Sequence, residues 1–140
     1  MLNIQLRNVT KEDWDYILKL RNSRYVQLQM YTKHKITKLE HYAYLKKQKR
    51  NKNFVNWIIS LDFKNIGYIR VLDNDVSIMI EKKYHGMGMG TLALSYLEKE
   101  AKKFGIKKLV GRVMIDNEKS KQIFLNNEYK LKMYWYEKKL

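Results

Sequence analysis

The sequence predicts an α/β fold in which helices flank a mixed sheet. Three strand-like segments follow one another at 54–61, 66–72 and 75–80. Only short turns separate them, so they predict an antiparallel meander. A segment of helical spacing at 88–104 leads to a strand at 108–113, and this strand–helix–strand order makes the last strand parallel to 75–80. The whole predicted order is β-α-α-β-β-β-α-β-α-β.

The N-terminal segments supply the first strand and the two helices of this order, with a further short helix between them. Residues 3–9 alternate between apolar and polar side chains, which predicts a strand. Thr10 and Asp13 have the spacing of a capping box, so we expect a helix from there to about residue 22. We expect a short helix and then a loop within 23–35. Thr37 and Glu40 form a second capping box, which predicts a helix to about residue 51.

The C-terminal segments complete the pattern. Apolar side chains share one face of the helix at 88–104, and Gly105 is a natural C-terminal stop. A shorter helix is expected at 117–126, with Asp116 or Asn117 as its N-cap. Residues 129–140 alternate and therefore predict a long final strand.

Composition limits the class of protein. The 140 residues are 45% hydrophobic, enough for one domain over 1–140 with a single core. We expect no membrane span and no signal peptide. The lack of cysteine excludes disulfides, cysteine–zinc sites and a cysteine nucleophile. We expect a cytoplasmic protein that uses no metal.

The net charge of +15 favours anionic partners, such as nucleic acid, phosphorylated small molecules or an acidic membrane surface. A lysine-rich surface without a specific role is an equally open interpretation. The most basic part is 31–53, which has eight Lys and Arg and one acid.

Half of the six glycines lie in one short loop, at Gly86, Gly88 and Gly90. A dinucleotide fingerprint would need a third glycine where Thr91 stands, and a P-loop would need Gly-Lys-Ser/Thr. The pattern Arg/Gln-x-x-Gly-x-Gly/Ala of acetyl-coenzyme A loops fits His85-Gly86-Met87-Gly88-Met89-Gly90 in all but its first residue. Backbone N–H groups at a helix start suit an anionic ligand, and histidine can still donate a hydrogen bond.

The glycine loop, its helix and the spacing Val113-x-x-x-Asn117-x-x-Ser120 resemble the GNAT superfamily of N-acetyltransferases. The order of elements matches over nearly the whole chain. The resemblance implies a sheet of six to seven strands, splayed between strands 4 and 5 and flanked by about four helices. It also implies acetyl-CoA as co-substrate and direct attack by an amine in a ternary complex.

The resemblance carries over particular cofactor contacts. The pantetheine arm would lie along the splayed strand, and its pyrophosphate would lie on the loop. The implied contacts are Ile78, Met79, Ile80, His85, Gly86, Met87, Gly88, Met89, Gly90, Thr91, Asn117, Ser120 and Phe124. Many relatives have a tyrosine at the position of Phe124, which is thought to protonate the leaving thiolate. Tyr134, Tyr136, Tyr84 or a water could replace it here, and we choose Tyr134.

Asp75 is the first choice for a general base or amine-orienting group. It lies ten residues before His85, where relatives that modify amino sugars and polyamines often carry a Glu. A plain role in a hairpin turn is the alternative for Asp75. Glu81 is a weaker candidate base.

Short motifs in the first third resemble GNAT enzymes that N-acetylate 4-amino sugars on nucleotide carriers, as in the pseudaminic-acid pathway. The ribosomal-protein acetyltransferases share much of this pattern. A nucleotide sugar would suit the basic region 31–53, whereas a polyamine would be repelled. The candidate acceptor contacts are Arg21, Met30, His41, Trp57 and Tyr68.

Another class of function stays open at this point. The +15 charge and Phe124 would also allow a non-catalytic module that binds nucleic acid or the ribosome. The intact glycines favour the enzyme. The usual glycine after the last helix is Glu128, so we expect Asn126 or Asn127 to take the left-handed conformation. An exposed sheet edge could pair with a second subunit, which predicts a possible homodimer.

Overall fold

The computed structural model describes residues 3–31 and 33–140, and its elements follow the predicted order closely. The strands are β1 Ile4–Asn8, β2 Phe54–Leu61, β3 Lys64–Leu72, β4 Asp75–Ile80 and β5 Val110–Gly111. The helices are α1 Trp14–Asn22, α2 Arg24–Leu28, α3 Lys38–Gln48, α4 Met89–Lys103 and α5 Glu118–Asn126. Short 3-10 turns at Lys11–Asp13 and Lys82–Tyr84 precede α1 and the glycine loop.

The strands form one sheet in the order β1-β2-β3-β4-β5. The pairs β1–β2, β2–β3 and β3–β4 are antiparallel, which confirms the meander. The pair β4–β5 is parallel, as the strand–helix–strand order predicts. The fold is therefore the α/β fold with a mixed, mostly antiparallel sheet that the sequence predicts.

Helices cover both faces of the sheet. On one face α4 packs on apolar side chains of β2, β3 and β4, with Leu94 and Leu97 fully buried. On the other face α1, α2 and α3 enclose a second cluster that includes Trp14, Ile58 and Met79. The continuous apolar run of β2 follows from this arrangement, because both of its faces are covered.

The predicted helix ends are largely confirmed. The Thr37 hydroxyl accepts from the Glu40 amide at 3.2 Å, and the Glu40 carboxylate accepts from the Thr37 amide at 3.3 Å. The Asp13 carboxylate accepts from the Thr10 amide at 2.8 Å. Asn117 is the N-cap of α5, since its side-chain oxygen accepts from the Ser120 amide at 3.2 Å. Gly105 ends α4 at φ +76°.

Two predictions about the C-terminal part are wrong. The described residues contain five strands rather than six to seven, and residues 127–140 form neither helix nor strand. Alternation alone does not make a strand, because a strand also needs a partner, and β5 is only two residues long. The left-handed residue after α5 is Glu128 itself, at φ +66°, rather than Asn126 or Asn127.

Among residues 3–31 and 33–140, no helix has the length and apolar character that a membrane crossing requires. The single domain over 1–140 and the cytoplasmic location stay predictions.

Candidate functional site

The site is organised by the divergence of β4 from β5. These strands pair only at Asp75–Val110 and Val76–Gly111, whereas β4 pairs with β3 along its whole length. The Glu81 amide donates to the Ile66 carbonyl on the β3 side at 2.8 Å. Because successive residues of an antiparallel strand alternate in direction, the peptide groups of Ile80 and Ile78 face away from β3. Beyond Val76, where β4 no longer pairs with β5, these peptide groups face the opening between the two strands.

Side chains converge on this opening at the Ile80 carbonyl. The Tyr25 hydroxyl of α2 donates to that oxygen at 2.5 Å. The His85 ring nitrogen Nε2 lies 2.8 Å from the same oxygen, and the two rings meet edge to face at 5.1 Å. A carbonyl oxygen has two lone pairs, so Tyr25 and His85 together satisfy it.

His85 has a defined hydrogen-bonding role. A carbonyl can only accept, so Nε2 of His85 carries the hydrogen. Its other nitrogen, Nδ1, lies 3.3 Å from Nζ of Lys119 and accepts from that ammonium group. Lys119 therefore places a positive charge beside the loop. Sequence reasoning missed Lys119, because the contact crosses 34 residues.

The glycine loop is an open cradle at the end of this opening. Gly86 and Gly88 have φ of +75° and +77°, and a Cβ placed on either residue would meet no atom within 4 Å. Gly88 is the N-cap of α4, so the first amides of that helix have no acceptor within it. Gly90 differs, since a Cβ there would collide with Cδ1 of Ile123. Gly90 therefore permits close approach of α5.

The two methionines of the loop lie in different surroundings. The Met89 side chain is buried in the core under α4, whereas the Met87 side chain is half exposed. Met79 is buried on the opposite face of the sheet, among α1, α2 and α3. Only the backbone of Met79 and Met89 can therefore line the loop and the opening.

A second tyrosine lies near the end of β4. The Tyr16 hydroxyl donates to the Glu81 carboxylate at 2.7 Å. Burial, followed by this hydrogen bond, raises the pKa of Tyr16 far above its usual value. Burial also raises the pKa of Tyr25. Hydrogen bonds with the Ser23 hydroxyl and the Lys82 amide partly offset this increase. Both phenols therefore stay protonated at neutral pH.

Helix α5 closes the site from the β5 side. Its N-terminus carries Asn117 and Ser120, which are joined by the capping hydrogen bond. The Phe124 ring lies against β5, so closely that a Cβ on Gly111 would collide with its Cζ. It also packs edge to face with Tyr129 at 5.0 Å. The Thr91 hydroxyl accepts from Asn126 at 3.2 Å and so joins α4 to α5.

Asp75 lies at the other end of β4. Five residues of strand, about 17 Å, separate it from Ile80. Its carboxylate pairs with Arg70 at 3.2 Å, and Nε of Arg112 lies 3.9 Å away. The Arg70 guanidinium also donates to the Asp75 carbonyl at 3.0 Å. These contacts hold the Asp75 carboxylate beside Arg70 and Arg112, and the role of Asp75 as a base stays a prediction.

The predicted acceptor contacts are not brought together. Trp57 is buried under α4, whereas Tyr68 is buried on the opposite face, so the two rings cannot frame one ligand. His41 is buried and its Nε2 lies 2.8 Å from the Trp14 carbonyl, where it joins α3 to α1. Burial lowers the pKa of His41. Side-chain burial of this kind arises from packing that the sequence pattern does not show.

Two predicted acceptor residues remain closer to the surface. Arg21 is part-buried in α1, and burial lowers its pKa. Met30 is part-buried and packs on the cluster beneath α1, α2 and α3. Both lie on the face of the sheet from which Tyr25 reaches the opening.

The C-terminal segment 127–140 returns to the connection that follows α2. The Tyr31 hydroxyl donates to the Glu137 carboxylate, and the Tyr31 and Trp135 rings lie 6.3 Å apart. Tyr134 lies in this segment with its side chain 75% exposed. Its role as a catalytic acid stays a prediction.

Comparison with known proteins identifies the class. Residues 3–130 match the family model described as Acetyltransferase (GNAT) domain. A domain from Methanocaldococcus jannaschii DSM 2661 has a similar structure, with a TM-score of 0.83 and 25% identity over 93% of this chain and 90% of that chain. The chain therefore belongs to the GNAT acetyltransferase family, and the predicted fold and enzyme class are confirmed.

Two more distant structures share the fold. The structure of yncA from Salmonella typhimurium with its cofactor acetyl-CoA has a TM-score of 0.77 and 16% identity, covering 93% of this chain and 81% of that chain. The spermidine N-acetyltransferase from Vibrio cholerae in complex with CoA and spermine has a TM-score of 0.75 and 17% identity, covering 87% of this chain and 78% of that chain.

Proposed function

We propose that this chain moves an acetyl group from acetyl-CoA to a primary amine. The observation that carries the proposal is the opening between β4 and β5, which ends at the glycine cradle. An extended arm can lie along the free edge of β4, and an anionic group can lie on the amides at the start of α4. The acetyl-CoA found with yncA is a ligand of this shape and charge.

The residues that would hold the co-substrate divide into three groups. Ile78 and Ile80 offer peptide groups along the opening. The pyrophosphate would be held by the loop at Gly86 and Gly88, together with the first amides of α4, beside Lys119. Further contacts are proposed for Met87 and Thr91 at the loop and the start of α4, and for Asn117, Ser120 and Phe124 from the side of α5.

The transfer needs an uncharged amine, a polarised thioester carbonyl and a proton for the departing sulfur. Acetyl-CoA supplies the activated acyl group when it is bound. Inward-facing peptide N–H groups of β4 can polarise the carbonyl, since preorganised donors stabilise charge as it develops. We propose Asp75 as the group that orients or deprotonates the amine, with direct attack in a ternary complex.

For the acceptor we propose a 4-amino sugar on a nucleotide carrier. Support comes from the short motifs in the first third and from the positive charge of 31–53. The N-terminus of a ribosomal protein is the second candidate, on the same motifs. Polyamines rank lower on charge, although the Vibrio cholerae relative was solved with spermine.

An acceptor panel tests this proposal. The protein is incubated with acetyl-CoA and, separately, a 4-amino-sugar nucleotide, a ribosomal N-terminal peptide and spermine, and released CoA thiol is measured. We expect release with the amino-sugar nucleotide alone. Equal release with the peptide would overturn the choice of acceptor. Binding to RNA without CoA release in any arm would favour the non-catalytic module.

We also propose that two copies associate through the C-terminal segment. Its large apolar side chains are exposed, among them Leu131, Met133 and Trp135, and β5 is the last strand of the sheet. An unpaired sheet edge can pair with a strand of a second chain, and an exposed apolar segment beside it favours this association. Light scattering at high protein concentration should give a dimer, and a monomeric mass there would contradict the proposal.

A further inference from the structure

Three charged side chains meet where β4 and β5 begin to diverge. The Arg70 guanidinium of β3 donates to the Asp75 carbonyl at 3.0 Å and lies 3.2 Å from the Asp75 carboxylate. Nε of Arg112, the residue that follows β5, lies 3.9 Å from the same carboxylate. One carboxylate therefore faces two guanidinium groups, and positive charge is in excess at this point.

The two arginines differ in how closely they are bound to Asp75. The Arg70 side chain is 21% exposed and donates to both the carbonyl and the carboxylate of Asp75, so it is held against the sheet. The Arg112 side chain is 71% exposed, and its distance of 3.9 Å is too long for a hydrogen bond. A guanidinium has five N–H donors in a planar fork. The exposed fork of Arg112 is therefore open to a further oxyanion.

Arg112 lies at the end of the opening that is remote from the glycine cradle. The strands β4 and β5 pair only as far as Val76 and Gly111, so Arg112 is the first residue beyond the pairing. A Cβ on Gly111 would collide with the Phe124 ring on the α4 side of the sheet. Because successive strand residues alternate, the Arg112 side chain points to the other face, where it meets Asp75. An arm that follows β4 from the cradle towards Val76 would bring its acetyl end to this point.

We propose that Arg112 binds an oxyanion of the acceptor, so that the enzyme selects primary amines that carry a phosphate or carboxylate group. The inference rests on the proposed acetyl transfer and names the part of the acceptor that is recognised at this end of the opening. A planar guanidinium matches two oxygens of either group at once. Arg70 is a positioning residue, because it holds the carboxylate that Arg112 faces. A wholly cationic acceptor such as spermine would be repelled by the excess positive charge.

The first test needs no turnover. Inorganic pyrophosphate is titrated by calorimetry into protein saturated with CoA, which occupies the glycine cradle. We expect Arg112→Gln to bind pyrophosphate about ten- to a hundredfold more weakly than the wild type, because a hydrogen bond between charged groups is lost. Lys107→Gln removes the same charge from an exposed side chain between α4 and β5 and should bind as the wild type does. Equal affinity in all three proteins, or an equal loss in both variants, would overturn the inference.

The second test compares acceptors that differ mainly in the anion. A 4-amino-sugar 1-phosphate is paired with the methyl glycoside of the same sugar, and alanine is paired with its amide. We expect the wild type to prefer the anionic member of one pair about tenfold in kcat/KM, mainly through KM for the acceptor. The pair that shows this preference identifies the oxyanion as phosphate or carboxylate.

The variants decide whether Arg112 causes the preference. The ratio should fall to about one in Arg112→Gln, with KM for acetyl-CoA changed less than about twofold, and it should persist in Lys107→Gln. Urea unfolding checks that both variants are folded. A preference that persists in Arg112→Gln, or a wild type that shows none with either pair, would refute the assignment.

The two proposals can fail separately. If the wild type releases CoA with neutral and anionic amines alike, acetyl transfer stands and Arg112 does not select the acceptor. If the wild type releases no CoA with any amine, acetyl transfer fails. The difference between Arg112→Gln and Lys107→Gln in pyrophosphate affinity still decides in that case whether Arg112 binds an oxyanion.

Discussion

The glycine cradle can be tested by adding one methyl group. Gly88 and Gly105 provide a matched pair, because their φ values are +77° and +76° and a Cβ added to either residue would meet no atom within 4 Å. Gly88 lies in the cradle at the N-terminus of α4, whereas Gly105 follows the C-terminus of the same helix. Gly88→Ala and Gly105→Ala therefore share a backbone penalty and differ in what lies nearby.

The expected change in stability is small and similar for both variants. A left-handed conformation costs an L-residue about 1–2 kcal/mol. Replacing glycine by alanine also restricts the unfolded chain, which raises the free energy of unfolding by about 0.4–1 kcal/mol. The net loss in the free energy of unfolding should be about 1 kcal/mol in each variant, measured by urea denaturation.

The affinity for CoA should separate them. A methyl group on Gly88 would occupy the space in which the phosphates approach the amides of α4. Loss of one hydrogen bond to a charged group costs about 1.5–3 kcal/mol, so Gly88→Ala should bind CoA roughly ten- to a hundredfold more weakly. Gly105→Ala should bind as the wild type does. Wild-type affinity in Gly88→Ala, or an equal loss in both variants, would refute the cradle.

Three further predictions concern single side chains. Because burial lowers the pKa of His41, the unfolded chain binds the proton more readily, and the folded protein should lose stability as the pH falls below about 6.5. His41→Gln should lessen this loss, measured by urea titrations at pH 5 and 7.5. An unchanged pH dependence in the variant would contradict the prediction. Lys119→Ala should weaken CoA binding about three- to tenfold and reduce its salt dependence, whereas Lys107→Ala should do neither. Asp75→Asn should lower kcat about a hundredfold if Asp75 is the base. Asp73→Asn, in the same turn, is the control, and equal rates in the two variants would mean that Asp75 has only a structural role.

Local signals predicted most of the fold. Thr37 and Glu40 mark the start of α3, and Gly105 marks the end of α4, because capping chemistry depends on neighbours in the chain. Short turns fixed the pairing of β2, β3 and β4 for the same reason. The segment 127–140 has the right alternation for a strand, but pairing depends on a distant partner that the pattern does not reveal.

The candidate site was predictable where a motif is contiguous. The glycine loop was predicted from its contiguous pattern, and Asn117 from its spacing and the family resemblance. Their contacts with the co-substrate stay predictions. Lys119 meets His85 across 34 residues and left no signal in the sequence. Trp57 was predicted to contact the acceptor, but the structure buries its side chain under α4. An aromatic residue on a strand gives no sign of which face of the sheet it occupies. The position of Tyr25 at the opening was not predicted, because the apolar residues of 23–35 show no clear period.

The most direct test of the account is a calorimetric titration of acetyl-CoA into the wild-type protein. A cradle of free amides at the end of the opening between β4 and β5 predicts saturable binding of one acetyl-CoA per chain, with an affinity that weakens as salt is added. No heat of binding at millimolar acetyl-CoA would contradict the central claim.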